Sequence, residues 1–142
     1  MPTRRPGPGS LLHRRLEHLY RTFDASTIDP DPLGIVREHR GRDDLEVAGI
    51  VAAGLAFGGV EVILRSVRLA LAPLGPRPAE GLALSTDRGL RAALRGFRHR
   101  WVDGDDVAAL LWAVRRLRAG RGSLEDAFLD GDPGGPTVED GM

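Results

Sequence analysis

One segment constrains the fold more than any other: Asp44 to Gly58, DLEVAGIVAAGLAFG. Its larger apolar residues, Val47, Ile50, Val51 and Leu55, recur at helical spacing, and alanine and glycine occupy most of the remaining positions. The resulting helix is apolar nearly all round, so other elements must cover it on several sides and it belongs at the centre of a bundle. The apolar stretch from Val47 to Phe57 is far shorter than the ~20 residues that a spanning helix needs.

The flanking sequence supplies the covering helices. Ser10 is a suitable N-cap for a helix in which Leu12, Leu16, Leu19, Tyr20 and Phe23 share one face, with Glu17 and Arg21 paired opposite. Pro30 and Pro32 punctuate the loop from Asp24, and Leu33 to Glu38 fits one helical turn. Asp43 or Asp44 opens the central helix, with Glu46 near its positive end. Val60, Ile63, Leu64, Val67, Leu71 and Leu74 form the next stripe, with Glu61 and Arg65 as an outward pair and Gly75–Pro76 as its end. Thr86 or Asp87 caps a helix whose face is Leu90, Leu94, Phe97 and Trp101, and Asp103 to Asp106 precede one carrying Val107, Leu110, Leu111, Val114 and Leu117. Ser123 and Asp126 have the spacing of a capping box before Leu124 to Leu129.

The expected architecture is therefore all-α, a compact bundle of about five to seven helices, with those starting near Ser10, Val60, Asp87 and Asp105 packed around the central one. Residues 1–9 read as a flexible tail, 10–129 as the helical domain, and 130–142 as a disordered acidic tail rich in Gly and Pro.

Composition narrows the chemistry. All 20 basic residues are arginine, and 20 acidic residues balance them to a formal net charge of zero, so long-range steering toward nucleic acid is absent and any phosphate contact must come from a local patch. Without cysteine, the chain has no disulfide, thiolate metal site or cysteine nucleophile, and without lysine it has neither a Schiff base nor a P-loop cation. No two of His13, His18, His39 and His99 stand four apart as helical zinc ligands, and no serine lies in a nucleophile elbow. The acidic residues Asp43, Asp44 and Glu46 are explained by capping and the helix dipole rather than by metal or acid–base chemistry. The expectation is a protein without cofactor or metal, and cytoplasmic, since no signal-peptide apolar region follows the N-terminal arginines.

The local patch is Arg88, Arg91, Arg95 and Arg98, spaced three, four and three apart as on one helical face, with Arg100 extending it. Guanidinium forks match phosphate oxygens bidentately, so these five are the candidate nucleic-acid-binding residues, with Phe97 or Trp101 as a stacking group beside them. Routine solvation of a polar helix face is the competing explanation, with Phe97 and Trp101 turned to the core.

Four segments in register, Asp44–Gly58, Gly96–Trp101 (GFRHRW), Asp105–Leu111 (DDVAALL) and Gly122–Phe128 (GSLEDAF), together with the helix that follows the first of them, resemble the uncharacterised bacterial family called domain of unknown function 2400. The resemblance covers residues 11–129 and implies an N-terminal portion, because the family's longer members carry a Pro-Leu-Asp-Thr-His type motif with no counterpart here. Its layout is also similar to that of the helix-hairpin-helix DNA glycosylases, although no segment matches their hairpin. The implied function is a nucleic-acid-associated, glycosylase-like helical domain that is not catalytic as it stands, with DNA as partner. The alternative is a protein-interaction module that pairs with a partner chain or with a missing C-terminal half. No membrane association is expected.

Overall fold

The computed structural model describes residues 10–24 and 28–131. The expected tail at 1–9 and all but Asp130 and Gly131 of the tail at 130–142 lie outside the described residues. Among the described residues, eight α-helices, a 3-10 turn (Ala72–Leu74) after the fourth, and one short hairpin follow in the order α1 (Leu11–Thr22), α2 (Leu33–Arg37), α3 (Arg42–Gly54), α4 (Val60–Leu71), α5 (Pro78–Leu84), α6 (Asp87–Ala93), β1 (Arg98–His99), β2 (Val102–Asp103), α7 (Gly104–Arg121) and α8 (Leu124–Leu129). The all-α expectation holds. The count exceeds the expected range because Pro78, placed at a helix start where its missing N–H costs nothing, begins a helix that has no periodic stripe of its own.

The centre is α3. Val47, Ala48, Val51 and Ala52 are buried on it, Leu55 is buried just beyond it, and α2, α4, α5 and α7 contact it. It is not covered all round, since Ile50 and Ala53 remain exposed on one edge. It also stops at Gly54, before the expected Gly58. Ile63, Val67, Ala70 and Leu71 of α4 and Val107, Ala108, Leu111 and Val114 of α7 complete most of the core.

Ion pairs and caps fasten the periphery. Glu46 pairs with Arg42 of its own helix at 3.5 Å, and it also reaches beyond it. Its carboxylate accepts from Arg118 Nη1 at 2.7 Å and from the Leu124 and Glu125 backbone amides at 2.9 and 3.3 Å, capping α8 from across the chain. Asp44 likewise accepts from the Ala79 amide at 2.9 Å in the first turn of α5, and Asp43 pairs with Arg118 at 3.1 Å. Glu61 and Arg65, expected to pair, form no ion pair.

Two further expectations are corrected. Helix α1 has its Ser10 cap, which accepts from the His13 amide at 3.0 Å, and its Arg21–Glu17 pair, but none of its residues is buried. Its apolar face therefore does not pack around α3. The helix starting at Asp87 ends at Ala93, not at Trp101. Leu94 closes it, Gly96 at φ 82° turns the chain, and residues 98–103 form an antiparallel hairpin with Arg98 opposite Asp103 and His99 opposite Val102. A positive φ is open to glycine at little cost, so Gly96 is the break that helical periodicity passes over.

Candidate functional site

The chain between α6 and α7 reverses tightly. Asp103 caps α7 by accepting from the amides of Asp105 and Asp106 at 2.9 and 3.1 Å, and the Asp106 carboxylate accepts in return from the Asp103 amide at 2.9 Å. Gly104, the first residue of α7, is buried against the Leu94 carbonyl so closely that a Cβ there would overlap it. This contact seats the start of α7 on the end of α6, and an open cleft of about 1020 Å³ lies along the junction.

Arg88, Arg91, Arg95 and Arg98 all line that cleft. Sequence spacing gathers them, but not by the expected geometry: only Arg88 and Arg91 are on a helix, Arg95 follows its end and Arg98 is on a strand. Arg91 is committed internally. Its guanidinium donates to Asp87 and to Asp105, both at 3.0 Å, tying α6 to the first turn of α7. Those bonds, Asp87 first, raise Arg91 further above its already high ordinary pKa. Because Asp87 and Asp105 are engaged with Arg91 and Asp103 with its cap, Arg88, Arg95 and Arg98 are left without a carboxylate partner among the described residues.

Arg100 belongs elsewhere. It sits at the hairpin turn at φ 54°, a left-handed conformation uncommon for a side-chain-bearing residue, and its guanidinium lies over Gly58. A Cβ on Gly58 would come within 2.7 Å of Arg100 Nε. Next to it Trp101, expected in the core, is 71% exposed. Its ring stacks on Phe57 with centroids 4.7 Å apart and planes 11° from parallel, and Phe57 meets the His99 ring edge-on at 4.6 Å. Phe97 is half-buried against the core, as expected.

His99 anchors this turn. It is 1% exposed, and both ring nitrogens are satisfied: Nε2–H donates to the Phe57 carbonyl at 3.0 Å, and Nδ1 meets the Ser66 hydroxyl of α4 at 2.9 Å. Sequence reasoning missed Phe57, Ser66 and His99 as a unit. The available signal was Gly96, a residue that favours a turn inside the assumed helix.

Among the described residues no cluster of histidine and carboxylate side chains could hold a metal ion, and no helix is long and apolar enough to cross a membrane. The profile of the family described as Protein of unknown function (DUF2400) matches residues 31–142. The chain belongs to that family. For this DUF2400 domain, no curated protein and no solved structure matches. The matched span includes α2 to α8 and the whole arginine cleft, and begins after α1.

Proposed function

We propose that this DUF2400 domain associates with nucleic acid, DNA in particular, by laying the phosphate backbone in the cleft between α6 and α7. The observation that carries the reading is the three partnerless guanidinium groups of Arg88, Arg95 and Arg98 around one open cleft. Elsewhere among the described residues Arg21, Arg42, Arg68, Arg77, Arg118 and Arg121 pair with carboxylates, while Arg37, Arg40 and Arg65 do not, so it is convergence on one cleft rather than lack of a partner alone that singles these three out. Guanidinium forks contact phosphate oxygens bidentately, and such contacts carry affinity without sequence preference. Arg91 acts by holding the cleft together, and Arg100 contributes from the neighbouring turn. In a glycosylase-like protein, the domain supplies the grip on the phosphate backbone.

The test is fluorescence anisotropy of labelled DNA against salt concentration. The unaltered protein is expected to bind with a log–log salt slope that falls by about one for each of Arg88→Ala, Arg95→Ala and Arg98→Ala. No salt-dependent binding by the unaltered protein removes the reading.

A second reading, a protein-interaction module, is favoured by one specific observation: the exposed apolar face of α1, formed by Leu12, Leu16, Leu19 and Tyr20. Leu12→Glu with Leu16→Glu is expected to abolish such an association and to leave DNA binding intact.

A further inference from the structure

We infer that the exposed face of Trp101 is a stacking platform for an unpaired nucleobase, so that the domain prefers single-stranded DNA to duplex. This rests on the nucleic-acid reading above and names the form of the ligand.

The ring is exposed on one side and rigidly backed on the other. Phe57 stacks beneath it, His99 braces Phe57 edge-on, and His99 is pinned by the Ser66 hydroxyl and the Phe57 carbonyl. Rotation of the indole is thus opposed by a chain of contacts running from the surface to α4. A large aromatic left 71% exposed has no such need of support, since a freely solvated side chain gains nothing from being held. Preorganisation matters instead to a surface that must receive a flat ligand, because ordering has then been completed before binding.

The backbone shares that cost. Arg100 occupies a left-handed conformation at the turn that presents Trp101, and its guanidinium packs over Gly58, whose φ of 109° costs glycine little. Strain of this kind persists only where the surroundings over-determine it, here by the buried His99 on one side of the turn and the β1–β2 pairing on the other.

Charge identifies the occupant. Arg100 precedes the ring in sequence, and Arg98 of the same hairpin faces the cleft. A flat, apolar acceptor backed by Phe57, with the Arg100 guanidinium over the adjacent Gly58, matches a base with its phosphate. Every base has a π-face, so the platform is tolerant of sequence, but a paired base inside a duplex cannot offer that face. An apolar peptide side chain would satisfy the ring and leave the arginines without purpose.

The experiment uses the full chain with Trp112→Phe, which leaves Trp101 as the sole tryptophan. Its fluorescence and anisotropy are followed while single-stranded and duplex oligonucleotides of equal length are added. The expected result is quenching by the single strand only, with at least tenfold tighter binding than to duplex. Trp101→Ala, with its fold verified by circular dichroism, is expected to lose about tenfold in single-strand affinity, and Trp101→Tyr, which keeps a ring on Phe57, to recover most of it. Equal, salt-dependent binding of both forms, unaffected by Trp101→Ala, overturns the platform and keeps the cleft. Absence of all DNA binding overturns both.

Discussion

Arginine does opposite work on two sides of this molecule. At the junction of α3, α7 and α8, Arg118 is 14% exposed and reaches Glu46, itself 13% exposed, at 2.7 Å and Asp43 at 3.1 Å. There a guanidinium closes a network in which each donor meets an acceptor. Along the α6–hairpin edge only Arg91 is used in that way, and Arg88, Arg95 and Arg98 stand around an open cleft. Arg118 and Arg91 are answered by carboxylates, whereas Arg88, Arg95 and Arg98 have none among the described residues and, under the proposed reading, take phosphate.

Substitutions can break that contrast, and the largest effect belongs to the backbone of the cleft. Gly104→Ala puts a Cβ into the Leu94 carbonyl, where neither partner is a flexible side chain, so a loss of about 3 kcal/mol is expected in chemical denaturation. A near-neutral result means that the α6–α7 junction is looser than the contact implies. Glu46→Ala follows, at about 2 kcal/mol, because α8 loses its acceptor and Arg118 keeps only Asp43. DNA binding should survive that substitution; if it fell together with stability, the two sides would not be independent.

A smaller effect comes from acid. Arg68, donating at 2.6 and 3.0 Å, holds the Glu38 carboxyl below the usual glutamate range. A depressed carboxylate contributes stability that is present above its unfolded value and is lost as pH falls through the folded one. Both side chains are more than half exposed, so water screens the pair to ~0.5 kcal/mol. Arg68→Ala should flatten that part of the acid limb in a melting series below neutral pH. Least of all in stability, Arg95→Ala and Arg98→Ala should leave the melting temperature unchanged while altering the salt slope. A cooperative loss of fold in either would place them with Arg118.

Most of the helices are legible in the sequence because their signals are local: Ser10, Thr86, Asp103 and Ser123 each accept the hydrogen bond their cap position predicts. Burial of the α1 stripe is not legible, since amphipathicity says that a face exists and not what covers it. The hairpin is hidden for a different reason. Leu90, Leu94, Phe97 and Trp101 keep helical spacing through a region where Gly96 and the anchored His99 have already turned the chain. Tertiary contacts decided it: Ser66 and Phe57 lie far from His99 in sequence and meet it only once α4 is in place. The cleft arginines could still be identified because residues close in sequence around one turn stay close in space.

The Glu46 cap also sets an order of events in synthesis. Glu46 and the Leu124 amide it accepts from are 78 positions apart, whereas α2 with α3, α6 with α7, and α7 with α8 are sequence neighbours. Neighbouring pairs close small loops and form early, while a contact across most of the chain must wait for both of its ends. On the ribosome, the first half of the bundle therefore emerges with a carboxylate already aimed at a helix that does not yet exist. The Leu124 amide is capped only once α8 has docked on α3, so Glu46→Ala should speed deuterium exchange in the first turn of α8.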